Sequence, residues 1–209
     1  MELKGTAINF LGDSITEGAG ASSIDKRFTD LLSKEYEIIS FNYGIGGTRI
    51  ARQYTPSAEP KYDKDFCSRV EELEESADAV VVFGGTNDFG HGDAPLGTFN
   101  DRTKDTFYGA LHVLYSSLIT KFPGKPIVII TPLHREIEVI GNKTLKAYVD
   151  IIREVAEYYS LPILDLYAES GLQPNVPVIK EMFMPDGLHP NDAGYEILAK
   201  KIANFLLKL

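Results

Sequence analysis

The chain has 209 residues, of which 44% are hydrophobic and 24% charged, as in an ordinary globular domain. Its single cysteine, Cys67, cannot form an internal disulfide, which excludes a disulfide-built scaffold. The net charge of -9 at pH 7 disfavours binding to nucleic acid or anionic lipid, and no apolar run approaches the roughly 18 residues that cross a bilayer. We therefore expect a single domain over residues 1–209, without a nucleic-acid partner and without membrane insertion.

The first residues lack the basic segment and apolar run of a secretory signal peptide. This N-terminal sequence predicts a cytoplasmic protein. A secreted protein from which the signal peptide had been removed would show the same sequence, so secretion stays an alternative.

Short apolar runs rich in β-branched residues alternate with longer periodic segments along the chain. The apolar runs predict strands over 6–11, 37–42, 79–83, 126–131 and 161–166. The runs over 79–83 and 126–131 contain continuous apolar stretches, which is typical of central strands buried on both faces. Helices are predicted over 27–35, 66–76, 106–122, 144–159 and 192–207. This alternation favours a three-layer α/β/α sandwich with about five parallel strands.

Four glycine-rich or polar segments lie where functional residues of such a sheet collect, beyond the carboxyl ends of strands or near the C-terminus. They span residues 12–18, 42–48, 84–88 and 185–192. The first contains Ser14, and the last contains Asp186 and His189. A serine hydroxyl needs a neighbouring base to become a nucleophile, and His189 is the candidate base. Asp186 lies three residues before it, so a turn would let the carboxylate orient the imidazole.

These four segments resemble those of the SGNH hydrolases, also called the GDSL esterase and lipase family. The four letters of the family name correspond to Ser14, Gly47, Asn87 and His189, in the expected order. The resemblance runs from residue 8 to residue 194. It implies a flavodoxin-like sheet topology and ester hydrolysis through an acyl-enzyme, with no cofactor and no metal.

The resemblance also assigns roles at the site. The catalytic triad would be Ser14, Asp186 and His189. The oxyanion hole would combine the backbone N–H of Ser14, the backbone N–H of Gly47 and the side-chain amide of Asn87. Gly46 remains an alternative to Gly47 as the donor.

Three further residues are candidates for substrate contact. Asp13 belongs to the first motif, where we expect it mainly to order the loop, while His91 and His134 follow the third and fourth strands. For the two histidines a structural or rim role is favoured over a catalytic one. His112 falls within a predicted amphipathic helix and is interpreted as structural.

Two long polar connections, over 49–65 and 89–105, are predicted to form walls over the site because loops of this length in a compact domain tend to be functional. They mix charged residues with aromatic ones. A site entrance lined by such residues favours small, polar ester substrates, for example the acetyl esters of a carbohydrate.

Other functions stay open at this level. Within the same family the alternatives are lysophospholipid and acyl-thioester hydrolysis. A metal-dependent phosphoesterase would use Asp13, Asn87, Asp88, Asp186 and His189 as ligands. A flavodoxin-like binding domain would instead use the glycine-rich loops to hold a phosphate or flavin. The sequence leaves the oligomeric state open.

Overall fold

Five parallel strands form the central sheet of the computed structural model, which describes all 209 residues. The first four in chain order are Ala7–Gly12 (β1), Ile39–Gly44 (β2), Ala79–Phe83 (β3) and Ile127–Ile130 (β4). A separate antiparallel hairpin follows, formed by Val139–Ile140 (β5) and Lys143–Thr144 (β6). The fifth strand of the central sheet is Ile163–Leu164 (β7). The order across the sheet is β2-β1-β3-β4-β7, the flavodoxin-like order. The predicted fold class is confirmed.

Eight α-helices and three short 3₁₀ segments connect the strands. The α-helices are Ser14–Glu17 (α1), Phe28–Tyr36 (α2), Thr86–Gly90 (α3), Phe107–Lys121 (α4), Leu145–Tyr158 (α5), Leu166–Glu169 (α6), Pro177–Phe183 (α7) and Asp192–Leu206 (α8). The 3₁₀ segments are Ile24–Lys26, Pro60–Asp63 and Phe66–Glu72. No helix is both long enough and apolar enough to cross a membrane.

Alternating side chains of the strands separate the core into two layers, one on each face of the sheet. On one face, Val80 and Val82 pack with α4 and α5 in a cluster of 26 buried residues. On the other, Val81 and Phe83 pack with α2 and α8 in a cluster of 24. Both faces of β3 are therefore buried, which explains its uninterrupted apolar sequence.

The three longest helices begin where a side chain caps the first turn. The caps are Thr106 for α4, Thr144 for α5 and Asn191 for α8, and each accepts a hydrogen bond from a backbone N–H three residues later. Such caps satisfy N–H groups that have no partner inside the helix. The sequence therefore fixes where these helices start.

Two predicted elements are shorter than expected. The strand predicted over 161–166 is only two residues long, because the Asp165 side chain already caps α6. The helix predicted over 66–76 is a 3₁₀ segment that ends at Glu72. In both cases the apolar pattern indicated burial correctly and overestimated the length of the regular element.

Candidate active site

The candidate nucleophile is Ser14, the first residue of α1 directly after β1. The Asp13 side chain caps this short helix, since its Oδ1 accepts a hydrogen bond from the Ile15 amide at 3.0 Å. Burial raises the pKa of the Asp13 carboxyl to about 6, against the opposing effect of that hydrogen bond. Because Ser14 begins the helix, its own N–H has no intrahelical acceptor and is free to bind an anion.

A continuous chain of hydrogen bonds links Ser14 to a histidine and a carboxylate. Ser14 Oγ lies 3.0 Å from His189 Nε2, and His189 Nδ1 lies 2.6 Å from Asp186 Oδ2. When Nδ1–H donates to the carboxylate, Nε2 carries a lone pair directed at the serine hydroxyl. This is the arrangement that a serine nucleophile requires, and the three residues predicted as a triad are brought together.

Asp186 is fixed by the turn that it shares with His189. Its Oδ1 accepts hydrogen bonds from the amides of Leu188 at 2.8 Å and of His189 at 2.7 Å, which leaves Oδ2 for the imidazole. Partial burial acts to raise the pKa of Asp186, but the hydrogen bonds from the ring and backbone of His189 outweigh it, so the net pKa lies below its ordinary value. The carboxylate is therefore ionised at neutral pH.

Helix α8 holds the turn that carries His189 against the helix that carries Ser14. The buried hydroxyl of Tyr195 lies 2.9 Å from the carbonyl oxygen of Ile15 and 2.8 Å from that of Ala19. These contacts join α8 to both ends of the segment around the nucleophile. The short Ser14 to His189 distance is thus supported by packing outside the triad.

The structure distinguishes the two glycines considered for the oxyanion hole. The Gly46 amide donates to Glu17 Oε2 at 2.9 Å, whereas the Gly47 amide has no hydrogen-bond acceptor. Gly47 has a φ of 74°, in the left-handed region that favours glycine. A free N–H in this position is what an oxyanion donor needs, so the geometry favours Gly47.

Asn87 lies in the first turn of α3 and is 5% exposed. One hydrogen of its Nδ2 group goes to the carbonyl oxygen of Thr48 at 2.9 Å, which leaves a second hydrogen available. Thr48 directly follows Gly47, so this bond joins two segments that carry predicted oxyanion donors. The amide is neutral and cannot take the serine proton.

Asp88 orders the segment that follows Gly47. Its two carboxylate oxygens accept hydrogen bonds from the amides of Ile50 and Ala51, at 3.0 and 2.9 Å. Burial raises the pKa of Asp88 to about 6, although both of these hydrogen bonds lower it. Asp88 is therefore a buried anchor for the loop rather than a group exposed to substrate.

Arg69 is a site residue that the sequence analysis missed. Its guanidinium, 1% exposed, donates to the carbonyl oxygens of Tyr43 at 2.7 Å and Gly12 at 3.0 Å, and to Thr48 Oγ1 at 3.0 Å. Burial lowers the pKa of Arg69 to about 10. Its side chain joins the ends of β1 and β2 to the loop of Gly47.

A sequence signal for Arg69 does exist. Phe66, Arg69, Val70 and Leu73 follow the i, i+3, i+4, i+7 spacing of a buried face, and all four are buried. An arginine at a core position of such a pattern must be hydrogen-bonded internally, because a buried unpaired charge is costly. This position could therefore have been identified as a structural cation beneath the strand ends.

A cavity of about 380 Å³ lies beside the oxyanion donors. Ser14 is not among its lining residues, but a Cβ atom built on Gly46 would lie 3.7 Å from Ser14 Cβ, so the cavity borders the nucleophile. Most of its lining is polar or charged. The lining residues are Glu17, Ile45, Gly46, Gly47, Arg49, Ser57, Lys61, Tyr62 and His91.

The three candidates for substrate contact lie in different surroundings. His91 lines the cavity. Asp13 is 2% exposed and does not line it. His134 makes no hydrogen bond to the triad or to the oxyanion donors. Its Nδ1 lies 2.5 Å from Glu138 Oε1, and its ring packs on Tyr167 with centroids 4.0 Å apart.

Most aromatic residues of the two long connections are packed away from the site. Phe89 contacts Tyr148, and Phe99 contacts His112, which is itself buried. Tyr62 is the aromatic residue of these connections that lines the cavity. Of the predicted mixture of charged and aromatic residues, one aromatic ring therefore remains at the cavity, and the polar character of the site rests on its charged lining.

No group of three or more His, Cys, Asp or Glu side chains is arranged to hold a metal ion. The residues proposed as ligands in the phosphoesterase alternative are engaged elsewhere. Asp13 and Asp88 accept hydrogen bonds from backbone amides, and Asp186 accepts from His189.

Comparison with known proteins shows what this chain is similar to. Residues 10–197 match the model of the GDSL-like lipase/acylhydrolase family. A protein of Mycobacterium tuberculosis described as a GDSL lipase is 27% identical over 200 residues, which cover 92% of this chain and 78% of that protein.

Solved structures extend the likeness over the whole fold. A crystal structure of a Lactobacillus plantarum protein has a TM-score of 0.86 and 30% identity, covering 99% of this chain and 98% of that one. A two-domain esterase active on acetylated mannans has a TM-score of 0.67 and 21% identity, covering 98% of this chain and 50% of that one. At that identity the second likeness is one of fold.

Proposed function

This chain belongs to the GDSL-like lipase/acylhydrolase family of ester hydrolases, and on that premise we propose that it is a serine esterase that forms an acyl-enzyme on Ser14. The observation that carries the proposal is the unbroken set of hydrogen bonds from Ser14 Oγ through His189 to Asp186. A serine hydroxyl without such a base is a weak nucleophile at neutral pH.

In the first step, Ser14 Oγ attacks the carbonyl carbon of the ester while His189 Nε2 takes the hydroxyl proton. Asp186, ionised at neutral pH, stabilises the imidazolium that forms. The carbonyl oxygen becomes an oxyanion held by the N–H groups of Ser14 and Gly47 and by the amide of Asn87. Donors placed in this way before the reaction need not reorganise as the charge develops.

The tetrahedral intermediate then collapses. The bond between the carbonyl carbon and the alcohol oxygen breaks, and His189 Nε2 gives its proton to the departing alkoxide. Water next attacks the acyl-enzyme, with His189 again taking and returning one proton. The products are one alcohol and one carboxylic acid, and Ser14 is regenerated.

The lining of the cavity supports small, polar esters as substrates. Glu17 and Lys61 place charges of both signs there, and Tyr62 supplies one aromatic face. A long acyl chain would gain little in such surroundings, because burying apolar surface is what favours its binding. We therefore propose short-chain esters, in particular acetyl esters of a carbohydrate or another polar alcohol.

Hydrolysis of p-nitrophenyl esters, from acetate to long acyl chains, tests both parts of this proposal. Wild type and Ser14→Ala are compared at each chain length. Activity confined to short esters and abolished in Ser14→Ala is the expected result. Ser14-dependent activity that rises with chain length would replace the substrate proposal with lipid or thioester hydrolysis. Activity equal in both proteins would refute the serine mechanism.

A further inference from the structure

A second chain of hydrogen bonds, separate from the triad, ends at Asn87. Arg49 Nη1 lies 2.9 Å from His91 Nδ1, and His91 Nε2 lies 3.2 Å from Asn87 Oδ1. Asn87 Nδ2 in turn donates to Thr48 O. None of these three side chains belongs to the triad, yet the chain ends on the amide predicted to bind the oxyanion.

The donor properties of the groups give this chain one direction. A guanidinium can only donate, so His91 Nδ1 must accept from Arg49. The proton of the neutral imidazole is then on Nε2, where it donates to Asn87 Oδ1. With its oxygen engaged by His91 and one hydrogen by Thr48, the Asn87 amide has a single orientation, in which the remaining N–H is the free donor.

We propose, on the basis of the serine esterase function proposed above, that His91 is a positioning residue that fixes the Asn87 amide as an oxyanion donor and couples it to the Arg49 guanidinium. An amide rotated by 180° about its terminal bond would present oxygen where the oxyanion forms. The His91 Nε2–H and the Thr48 carbonyl oxygen together oppose that rotation. Linked hydrogen bonds also polarise one another, so the cation at the start of the chain strengthens the donor at its end.

Burial and further hydrogen bonds hold the Arg49 guanidinium in place, so it can serve as the fixed end of this hydrogen-bond chain. Its guanidinium is 4% exposed and also donates to Tyr62 O at 3.0 Å and to Asp63 Oδ1 at 3.2 Å. Burial, followed by the charges of Arg49 and Arg135, lowers the pKa of His91. His91 is therefore neutral at pH 7, as the chain requires.

The alternative role for His91 is direct contact with the substrate, because it also lines the cavity. The two roles differ in how the loss of His91 combines with the loss of Asn87. A residue that acts through Asn87 has nothing to position once that amide is gone. A residue that contacts the substrate contributes independently, and its loss would raise KM.

The kinetic test is a double-mutant cycle of His91→Ala and Asn87→Ala on a short p-nitrophenyl ester. We expect His91→Ala to lower kcat about 10- to 100-fold with little change in KM, and the double variant to be no slower than Asn87→Ala. Losses that multiply in the double variant, or a kcat unchanged by His91→Ala, would overturn the proposal.

Asp93→Ala is the matched control for loosening of the same loop. Asp93 lies two residues after His91 and accepts hydrogen bonds from the amides of Tyr54 at 2.8 Å and Thr55 at 2.7 Å. Asp93→Ala removes these two hydrogen bonds between the loops, and Asp93 makes no hydrogen bond to Asn87. We expect kcat of Asp93→Ala to stay near that of wild type, and an equal fall in both variants would show a general loop effect and overturn the specific role of His91.

A spectroscopic test does not depend on esterase activity. In ¹⁵N NMR of the wild-type protein at pH 7, His91 is expected as the neutral tautomer with hydrogen on Nε2 and none on Nδ1. Hydrogen on Nδ1 would overturn the proposal even in an active enzyme. If the protein shows no Ser14-dependent activity, the proposed function fails while this measurement still decides the state of His91.

Discussion

Replacing Asp186 with asparagine changes the charge of the triad while nearly preserving its shape. In the wild type, one carboxylate oxygen accepts from His189 Nδ1 at 2.6 Å and the other accepts from the amides of Leu188 and His189. An asparagine has only one oxygen to offer. If that oxygen faces the imidazole, its NH₂ group faces two backbone N–H groups, which destabilises the turn.

The opposite orientation of the asparagine satisfies the turn and disables the base. Its NH₂ group then faces His189 Nδ1, which must accept, and the ring proton moves to Nε2. Nε2 can no longer take the proton of Ser14 Oγ. A wrong tautomer in a Ser-His-Asp triad costs about 10,000-fold in kcat. Since the side chain of Asp186 is 55% exposed and water can replace part of its interaction, we expect a loss of about 1,000- to 10,000-fold.

The assay is kcat on p-nitrophenyl acetate at pH 7 for wild type, Asp186→Asn and Ser14→Ala, together with Tm for each. Asp186→Asn is expected to approach the residual rate of Ser14→Ala while remaining folded. A variant within threefold of wild type, with its activity still dependent on Ser14, would refute the role assigned to the carboxylate.

Three further predictions concern groups around the triad. Asn87→Ala should lower kcat about 100-fold or more in steady-state kinetics, and an unchanged kcat would remove Asn87 from the oxyanion hole. Gly47→Ala should cost about 1–2 kcal/mol in unfolding free energy and lower kcat, because a φ of 74° strains an alanine. The new Cβ adds no clash, since it would only contact the Tyr62 ring at 3.5 Å. A Tm and kcat equal to those of wild type would contradict this. Asp13→Asn keeps the cap on α1 and removes a carboxyl whose folded-state pKa of about 6 exceeds its unfolded value. The wild type should therefore lose about 2 kcal/mol relative to the variant as pH rises from 4 to 7. Urea unfolding across this range measures the difference, and a constant difference would show that the Asp13 pKa is not raised.

The five parallel strands could be predicted because their apolar sequences reflect how deeply they are buried, whereas their order in the sheet was implied by the family resemblance. Val80, Val81 and Val82 are apolar without interruption because helices cover both faces of β3. Strand length was harder to predict. β7 ends at Leu164 because the side chain of Asp165 caps the following helix, a competition between two local preferences that apolar periodicity does not reveal.

At the site, the sequence identified the residues of the proposed triad better than the residues that hold the surrounding loops in place. Ser14 follows a strand end in a recognisable motif, and Asp186 and His189 share the short spacing of a second motif before α8. Arg69 and the link from Arg49 to His91 depend on contacts between segments distant in sequence, such as Arg69 with Gly12 O. No local pattern specifies those contacts, although the core spacing of Arg69 could have marked it as a buried cation.

The central claim is that Ser14 becomes covalently acylated, and trapping the adduct tests it most directly. The protein is treated with a fluorophosphonate, which reacts with activated serines, and the labelled peptide is located by mass spectrometry. The account predicts one adduct, on Ser14, that is absent in Ser14→Ala and strongly slowed in His189→Ala. An adduct on a different serine, or an active esterase in which Ser14 stays unlabelled, would contradict it.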